Sequence, residues 1–188
     1  MKIGKKHNPI RIIIITDSIV MLATAMLGPI YALFVEEIGG TLLEASLTGA
    51  VFAVSAGLTC LLGGKISDKI RERKYVVIIG YAIICLGFLL MTQVKTINFL
   101  LLVQVIIGIG QAFYLPAFDS LFSKYSNKRH QGVQWGIWES MFYFTTAVGA
   151  LIGGLIVTQV SFQAMFFLMA LLCFISAFYI FLVPKKVL

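Results

Sequence analysis

Gly64-Lys65-Ile66-Ser67-Asp68-Lys69-Ile70-Arg71-Glu72-Arg73-Lys74 is the stretch whose reading decides the fold. It crowds seven charged residues between two apolar runs, Ser46–Gly64 and Tyr75–Gln93. Each run is close to the roughly 20 residues a helix needs to cross a bilayer. Four more runs of this kind flank the pair: Ile10–Phe34, Asn98–Phe122, Val133–Thr158 and Gln163–Val183. All six are continuously apolar, not alternating, which argues for helices over a barrel. Only 12% of the 188 residues are charged and 60% are hydrophobic. A soluble domain carries about 25% charge, so a soluble enzyme, a disordered chain and a disulfide scaffold are excluded. The expected fold is all-α: a polytopic membrane protein forming one six-helix bundle over residues 1–188, with no soluble domain appended.

Basic residues set the expected orientation. Lys2, Lys5, Lys6 and Arg11 precede or open the first run. Lys65, Lys69, Arg71, Arg73 and Lys74 lie in the second connection, Lys124, Lys128 and Arg129 in the fourth, and Lys185 and Lys186 after the last run. Lys95 alone falls on the other side, where the first connection holds Glu36, Glu37 and Glu44. The expectation is an integral protein of the cytoplasmic membrane with both termini cytoplasmic. Its net charge of +7 then reads as a topology signal and as attraction to anionic membrane lipids. Nucleic acid is not expected as a partner, since no aromatic-basic platform accompanies the charge. Ala23-Thr24-Ala25 imitates a signal-peptide cleavage site, but Asp17 interrupts the apolar region and the run continues to Phe34.

Cys60, Cys85 and Cys173 sit on different helices and read as small packing residues. His7 and His130 lie on the cytoplasmic side, away from any intramembrane serine. No phosphate-binding G-x-x-x-x-G-K-[ST] occurs. No metal, no cofactor and no enzyme activity are expected. Trp135 and Trp138 read as an interfacial belt.

A weak internal repeat is visible. Pro29-Ile30-Tyr31 and Pro116-Ala117-Phe118 are 87 residues apart; Leu61-Leu62-Gly63-Gly64 and Leu151-Ile152-Gly153-Gly154 are 90 apart. The offsets suggest a three-plus-three duplication, 10–93 and 98–183. Three is odd, so the second triplet must be inverted in the membrane, a transporter architecture.

The second connection resembles the cytoplasmic signature G-x-x-x-D-[RK]-x-G-[RK]-[RK] of the major facilitator superfamily, placed between helices 2 and 3 as in that family. Gly64, Asp68, Lys69 and Arg73 match; Arg71 replaces the second glycine and Glu72 the next basic residue. Gly149-Ala150-Leu151-Ile152-Gly153-Gly154 is similar to the family's G-P-x-x-G-G, with Ala150 in place of proline, and also reads as a helix-packing face. Gln104-Val105-Ile106-Ile107-Gly108-Ile109-Gly110 resembles R-x-x-Q-G-x-G, with Gln104 in place of arginine. The resemblance covers the N-terminal six helices of a twelve-helix family and suits a half-size member. It implies that helices 1, 4 and 5 line a cavity while helices 3 and 6 support it from outside. It also implies that a second six-helix half, most simply another copy in a homodimer, completes the substrate path. The Gly64–Arg73 loop would latch one conformation by charge pairing with that half.

An ionisable group at mid-membrane costs about 2.5–3.5 kcal/mol on insertion scales, so it usually faces a cavity or a partner. Asp17, Asp119 and Glu139 fall at similar depth by helical rise and are expected to share a water-accessible groove. Polar residues at helical spacing extend it: Thr24, Gly28 and Tyr31 on helix 1, Thr48, Ser55 and Thr59 on helix 2, Gln104, Gly108 and Gln111 on helix 4, Tyr143, Thr146 and Ala150 on helix 5. No Lys or Arg lies deep in a span, so the expected substrate is a neutral or cationic small molecule, with Asp17 or Glu139 carrying a coupled proton. The function expected is secondary active transport, by symport or by antiport such as efflux. The alternatives are a non-transporting membrane scaffold or sensor and a truncated transporter fragment.

Overall fold

The computed structural model describes residues 9–70, 72–184 and 187–188, and leaves out the side chains of Ser67 and Asp68. Lys2, Lys5, Lys6, His7, Arg71, Lys185, Lys186 and the Asp68 carboxylate therefore lie outside the described residues. Among the described residues seven α-helices form: α1 Pro9–Ala25, α2 Tyr31–Glu37, α3 Leu42–Lys69, α4 Lys74–Met91, α5 Ile97–Tyr125, α6 Gln131–Gln159 and α7 Phe162–Leu182. They supply six stretches long and apolar enough to span a membrane, with α1 and α2 making one span together. Among the described residues there is no strand.

The first run is not one continuous helix. Pro29 has no N–H to donate, and a tighter turn over Gly28–Ile30 separates α1 from α2. Three-residue hydrogen bonds, Met26 N to Ala23 O (3.3 Å) and Ile30 N to Leu27 O (3.1 Å), mark the break. Helix α3 starts earlier than expected because Thr41 and Glu44 form a reciprocal cap. The Thr41 N–H donates to the Glu44 carboxylate at 2.7 Å, and the Glu44 N–H donates to the Thr41 hydroxyl at 3.3 Å. Thr96 and Ser161 cap α5 and α7 in the simpler way.

The packing partners show how the bundle is built. Helix α5 packs on α3 and α4, α4 on α7, and α1 on α6 and α7. Exchanging spans 1, 2 and 3 with 4, 5 and 6 maps this set of contacts onto itself. One contact makes the relation specific. A Cβ on Gly63 of α3 would sit 3.3 Å from the Phe113 carbonyl of α5, and a Cβ on Gly153 of α6 would strike the Met26 carbonyl of α1. Met26 and Phe113 are 87 residues apart, and Gly63 and Gly153 are 90 apart, the offsets of the sequence repeat.

The six spans are unequally buried. In the apolar stretches of α3 and α6 only 11% of residues are buried, against 44–50% in the other four. Helices α3 and α6 therefore flank the bundle and leave one side of it uncovered. The core between the remaining spans is dense with aromatic rings. Phe34 meets Phe166 edge-on at 4.9 Å, and Tyr81 meets Tyr114 at 4.8 Å.

Lys74, one of the basic residues of the second connection that set the expected orientation, is only 3% exposed. Its ammonium donates to the Val183 carbonyl at 2.7 Å and lies 5.3 Å from the Tyr75 ring centre. The cause is the helix end: the last carbonyls of α7 lack helical donors, and a cation there also meets the negative end of the helix dipole. Lys74→Met should lower stability by about 1–3 kcal/mol, read as the midpoint of thermal unfolding in detergent. Lys74→Arg should recover most of it.

Candidate functional site

The break between α1 and α2 makes room for a cavity of about 290 Å³. Thr24, Leu27, Gly28 and Tyr31 wall it from the first span, Gly49 and Phe52 from α3, and Gln104, Ile107 and Gln111 from α5, with Phe88 reaching in from α4. Five of the residues singled out in the sequence, Thr24, Gly28, Tyr31, Gln104 and Gln111, thus meet on one surface. Of the helices expected at the groove, the first span, α3 and α5 take part and α6 does not. Helix α3 comes close because Gly108 of α5 lies under it; a Cβ there would be 2.7 Å from the Phe52 carbonyl.

A hydrogen-bonded chain ties three of the spans together at this cavity. The Gln104 side-chain amide donates to the Tyr31 hydroxyl at 2.6 Å, and that hydroxyl donates to the Thr48 hydroxyl at 2.6 Å. Thr48 is buried and donates onward to the Glu44 and Ala45 carbonyls, each at 2.9 Å. The Thr24 hydroxyl donates to the Met21 carbonyl at 3.0 Å. The half-buried Gln111 amide has no hydrogen-bond partner among the described residues, which leaves it available to a bound molecule. The lining holds hydroxyls, amides and apolar surface, and no carboxylate or basic group.

The three acids do not form one groove within this chain. Asp17 is fully enclosed, 0% exposed, about 10 Å along the helix from Thr24. Its two oxygens accept from the Tyr81 hydroxyl at 3.0 Å and the Trp138 indole N–H at 3.3 Å. Tyr114 and Asp119 are also near enough to interact with it. Four helices, α1, α4, α5 and α6, thus converge on one carboxylate. Asp119 is half-buried on α5, and Glu139 and Tyr143 lie on exposed parts of α6, Tyr143 being 63% exposed. The separation has a simple cause. Trp138, one residue before Glu139, turns inward to Asp17, so Glu139 is carried away from it by the helical rotation.

Trp138 is accordingly not an interfacial anchor but part of the core around Asp17. It lies 5.8 Å from the Phe118 ring and 6.4 Å from Phe122, while Trp135 packs 4.6 Å from Phe122. Tyr81, Tyr114 and Trp138 are the polar aromatic residues that sequence reasoning missed. The available signal was a buried acid in need of donors from neighbouring helices.

Gly149 and Gly153 are where α6 crosses α1; a Cβ on Gly149 would be 2.8 Å from both the Leu22 carbonyl and the Ala25 methyl. Gly154 and Gly64 face open space. In the second connection Lys69 is exposed and Arg73 half-buried, its Nε without a hydrogen-bond partner among the described residues. No group of His, Cys, Asp and Glu able to hold a metal exists among the described residues.

A solved structure of the POT family transporter PepTSo superposes on 95% of the chain and 38% of its own length, with a TM-score of 0.76 at 18% identity, which shows a shared fold. An MFS-type transporter of Methanocaldococcus jannaschii is 26% identical over 174 residues, 93% of this chain and 45% of that protein. The multidrug resistance protein MdtG of Salmonella schwarzengrund is 27% identical over 169 residues, 88% of this chain and 42% of that protein. The chain thus spans less than half the length of these relatives. The sequence profile of the Major Facilitator Superfamily matches residues 13–187, and the chain belongs to that superfamily as a six-helix membrane bundle with the fold of its transporters.

Proposed function

We propose that the chain is one half of a secondary active transporter for a neutral or cationic small molecule, coupled to protons and completed by a second six-helix half. The observation that carries this reading is the cavity of Thr24, Tyr31, Gln104 and Gln111, walled by residues of four spans. Its amides and hydroxyls can hold a polar group, while Leu27, Phe52, Phe88 and Ile107 hold an apolar one. An uncharged lining favours the neutral end of the substrate range. Export of amphipathic compounds would suit the relatives named as multidrug resistance proteins.

The partner half follows from Glu139. An exposed carboxylate on a membrane-spanning helix is costly among acyl chains, and a second bundle over α3 and α6 would cover it. A second copy of this chain is the simplest such partner, with both termini and the Gly64–Arg73 loop on the cytoplasmic side. Cross-linking in native lipid should capture dimers; monomers alone would remove the two-copy arrangement. For proton coupling, Asp17→Asn or Glu139→Gln should abolish the pH dependence of uptake into liposomes. If both leave pH-driven uptake unchanged, coupling through these acids is wrong.

Binding is tested at the cavity. A ligand-stabilisation screen at two pH values should find compounds that raise the unfolding temperature, and these should show flux in liposomes. Gln104→Leu removes the amide that holds Tyr31, and affinity for such a compound should fall about tenfold, the equivalent of one hydrogen bond of roughly 1.4 kcal/mol. Absence of flux together with co-purification of another protein would favour a scaffold instead.

A further inference from the structure

We propose that Trp138 is the positioning residue through which the charge on Asp17 latches α6 to α1 at the basic end of the bundle. The inference deepens the proton-coupled reading by naming the element that the proton moves. Helix α6 meets α1 at two levels: the Gly149–Gly153 crossing, and the Trp138 indole on Asp17, about 16 Å away by helical rise. The glycine crossing is backbone against backbone and can act as a pivot. The indole is at the end of the lever. It is clamped by Phe118 and Phe122 of α5 as well as by the carboxylate of α1. The same end of α6 also rests on α5 through Trp135 against Phe122 and through the Gln134 side chain, which accepts from the Ser126 hydroxyl and the Asn127 N–H. None of these contacts carries a charge, so the Asp17 bond is the one that a proton can change.

The chemistry of the donors makes the latch sensitive to charge. The groups that face Asp17 are Tyr81 from α4, Tyr114 and Asp119 from α5, and Trp138 from α6; none is a cation. When Asp17 is ionised both oxygens accept, and both hydrogen bonds are charge-assisted, about twice as strong as neutral ones. When a proton taken from the water phase binds Oδ1, its new O–H donates to the Tyr81 oxygen, because a phenol can reverse from donor to acceptor. An indole N–H only donates. Trp138 then keeps a weaker bond to a neutral carbonyl oxygen, and loses it if the proton sits on Oδ2. Protonation therefore loosens α6 selectively and leaves α4 paired. Release of the same proton restores the latch.

Trp135 and Trp138 are the two tryptophans of the chain, so W135F leaves Trp138 as a single fluorescent reporter. In the full chain in lipid vesicles, the Trp138 emission of W135F should move to longer wavelength as pH falls, through a single-site transition. D17N in the same background should abolish that transition. Loss of the transition in W135F, or its persistence with D17N, overturns the proposal. A second readout needs no W135F protein: the unfolding temperature of the unaltered chain should vary with pH, and W138F should flatten that profile. A uniform drop at every pH would show a merely structural Trp138 and also overturn the proposal. Neither readout needs a substrate. A latch without flux would sink the transport reading alone, and flux without a latch would sink this inference alone.

Discussion

Gly153→Val should dislodge α6 from α1 and cost stability at or above the roughly 3 kcal/mol upper range of overpacking substitutions. Any Cβ at this position strikes the Met26 carbonyl, and the Met26 Cα and C atoms lie within 2.9 Å. Backbone atoms have no rotamer to escape into, so the helices themselves must separate. The α1–α6 contact holds a helix with little other burial. The thermal unfolding midpoint should fall sharply, and the Trp138–Asp17 hydrogen bond should be lost with it. Gly154→Val is the internal control. It adds the same side chain one residue later, where nothing lies within 4 Å. That variant should unfold within about 0.5 kcal/mol of the original. Equal losses at the two positions would mean that α6 does not cross α1 here.

Asp17→Leu and Asp17→Asn should diverge, although both remove the charge. Leucine has no acceptor, so the Tyr81 hydroxyl and the Trp138 N–H are left unpaired in a site that is 0% exposed. Each orphaned donor costs about 1–3 kcal/mol, offset in part by the loss of a buried charge. Asparagine keeps an oxygen for the indole and offers an N–H to the Tyr81 oxygen, so the site stays paired. Asp17→Asn loses only the charge assistance of two hydrogen bonds and should cost about 1 kcal/mol, while Asp17→Leu should lose several kcal/mol. Urea is of little use for a membrane bundle, so thermal unfolding in one detergent is the suitable comparison. Matching midpoints would show that Asp17 is not the acceptor that joins these helices.

The membrane class and six spans were legible because a long apolar run has one reading and basic connections another. Thr24, Tyr31, Gln104 and Gln111 were legible for a related reason: polar residues at helical spacing must turn inward, and the cavity is where they meet. The break after α1 was hidden because Gly28-Pro29 can either kink a helix or end it, and the choice depends on packing. Pro116 shows the other outcome, remaining inside α5. The environment of Asp17 was hidden because depth fixes only one coordinate. Two acids at equal depth can face opposite ways, and the rotation of α6 that turns Trp138 inward turns Glu139 out. Tyr81, Tyr114 and Trp138 come from three different helices, so no local pattern could have joined them. The burial of Lys74 was hidden because charge alone does not tell a topology anchor from the cap of another helix.

The paired approaches of Gly63 to Phe113 and of Gly153 to Met26 bear on how the chain can tolerate genetic change. In each pair the opposing surface is main chain, so trimming the neighbouring side chain opens no space. A larger residue at either glycine cannot be rescued by a reciprocal substitution across the crossing. Suppressors selected against it should map to distant positions that re-tilt a whole helix, such as gained or lost prolines, and not to the residue it touches.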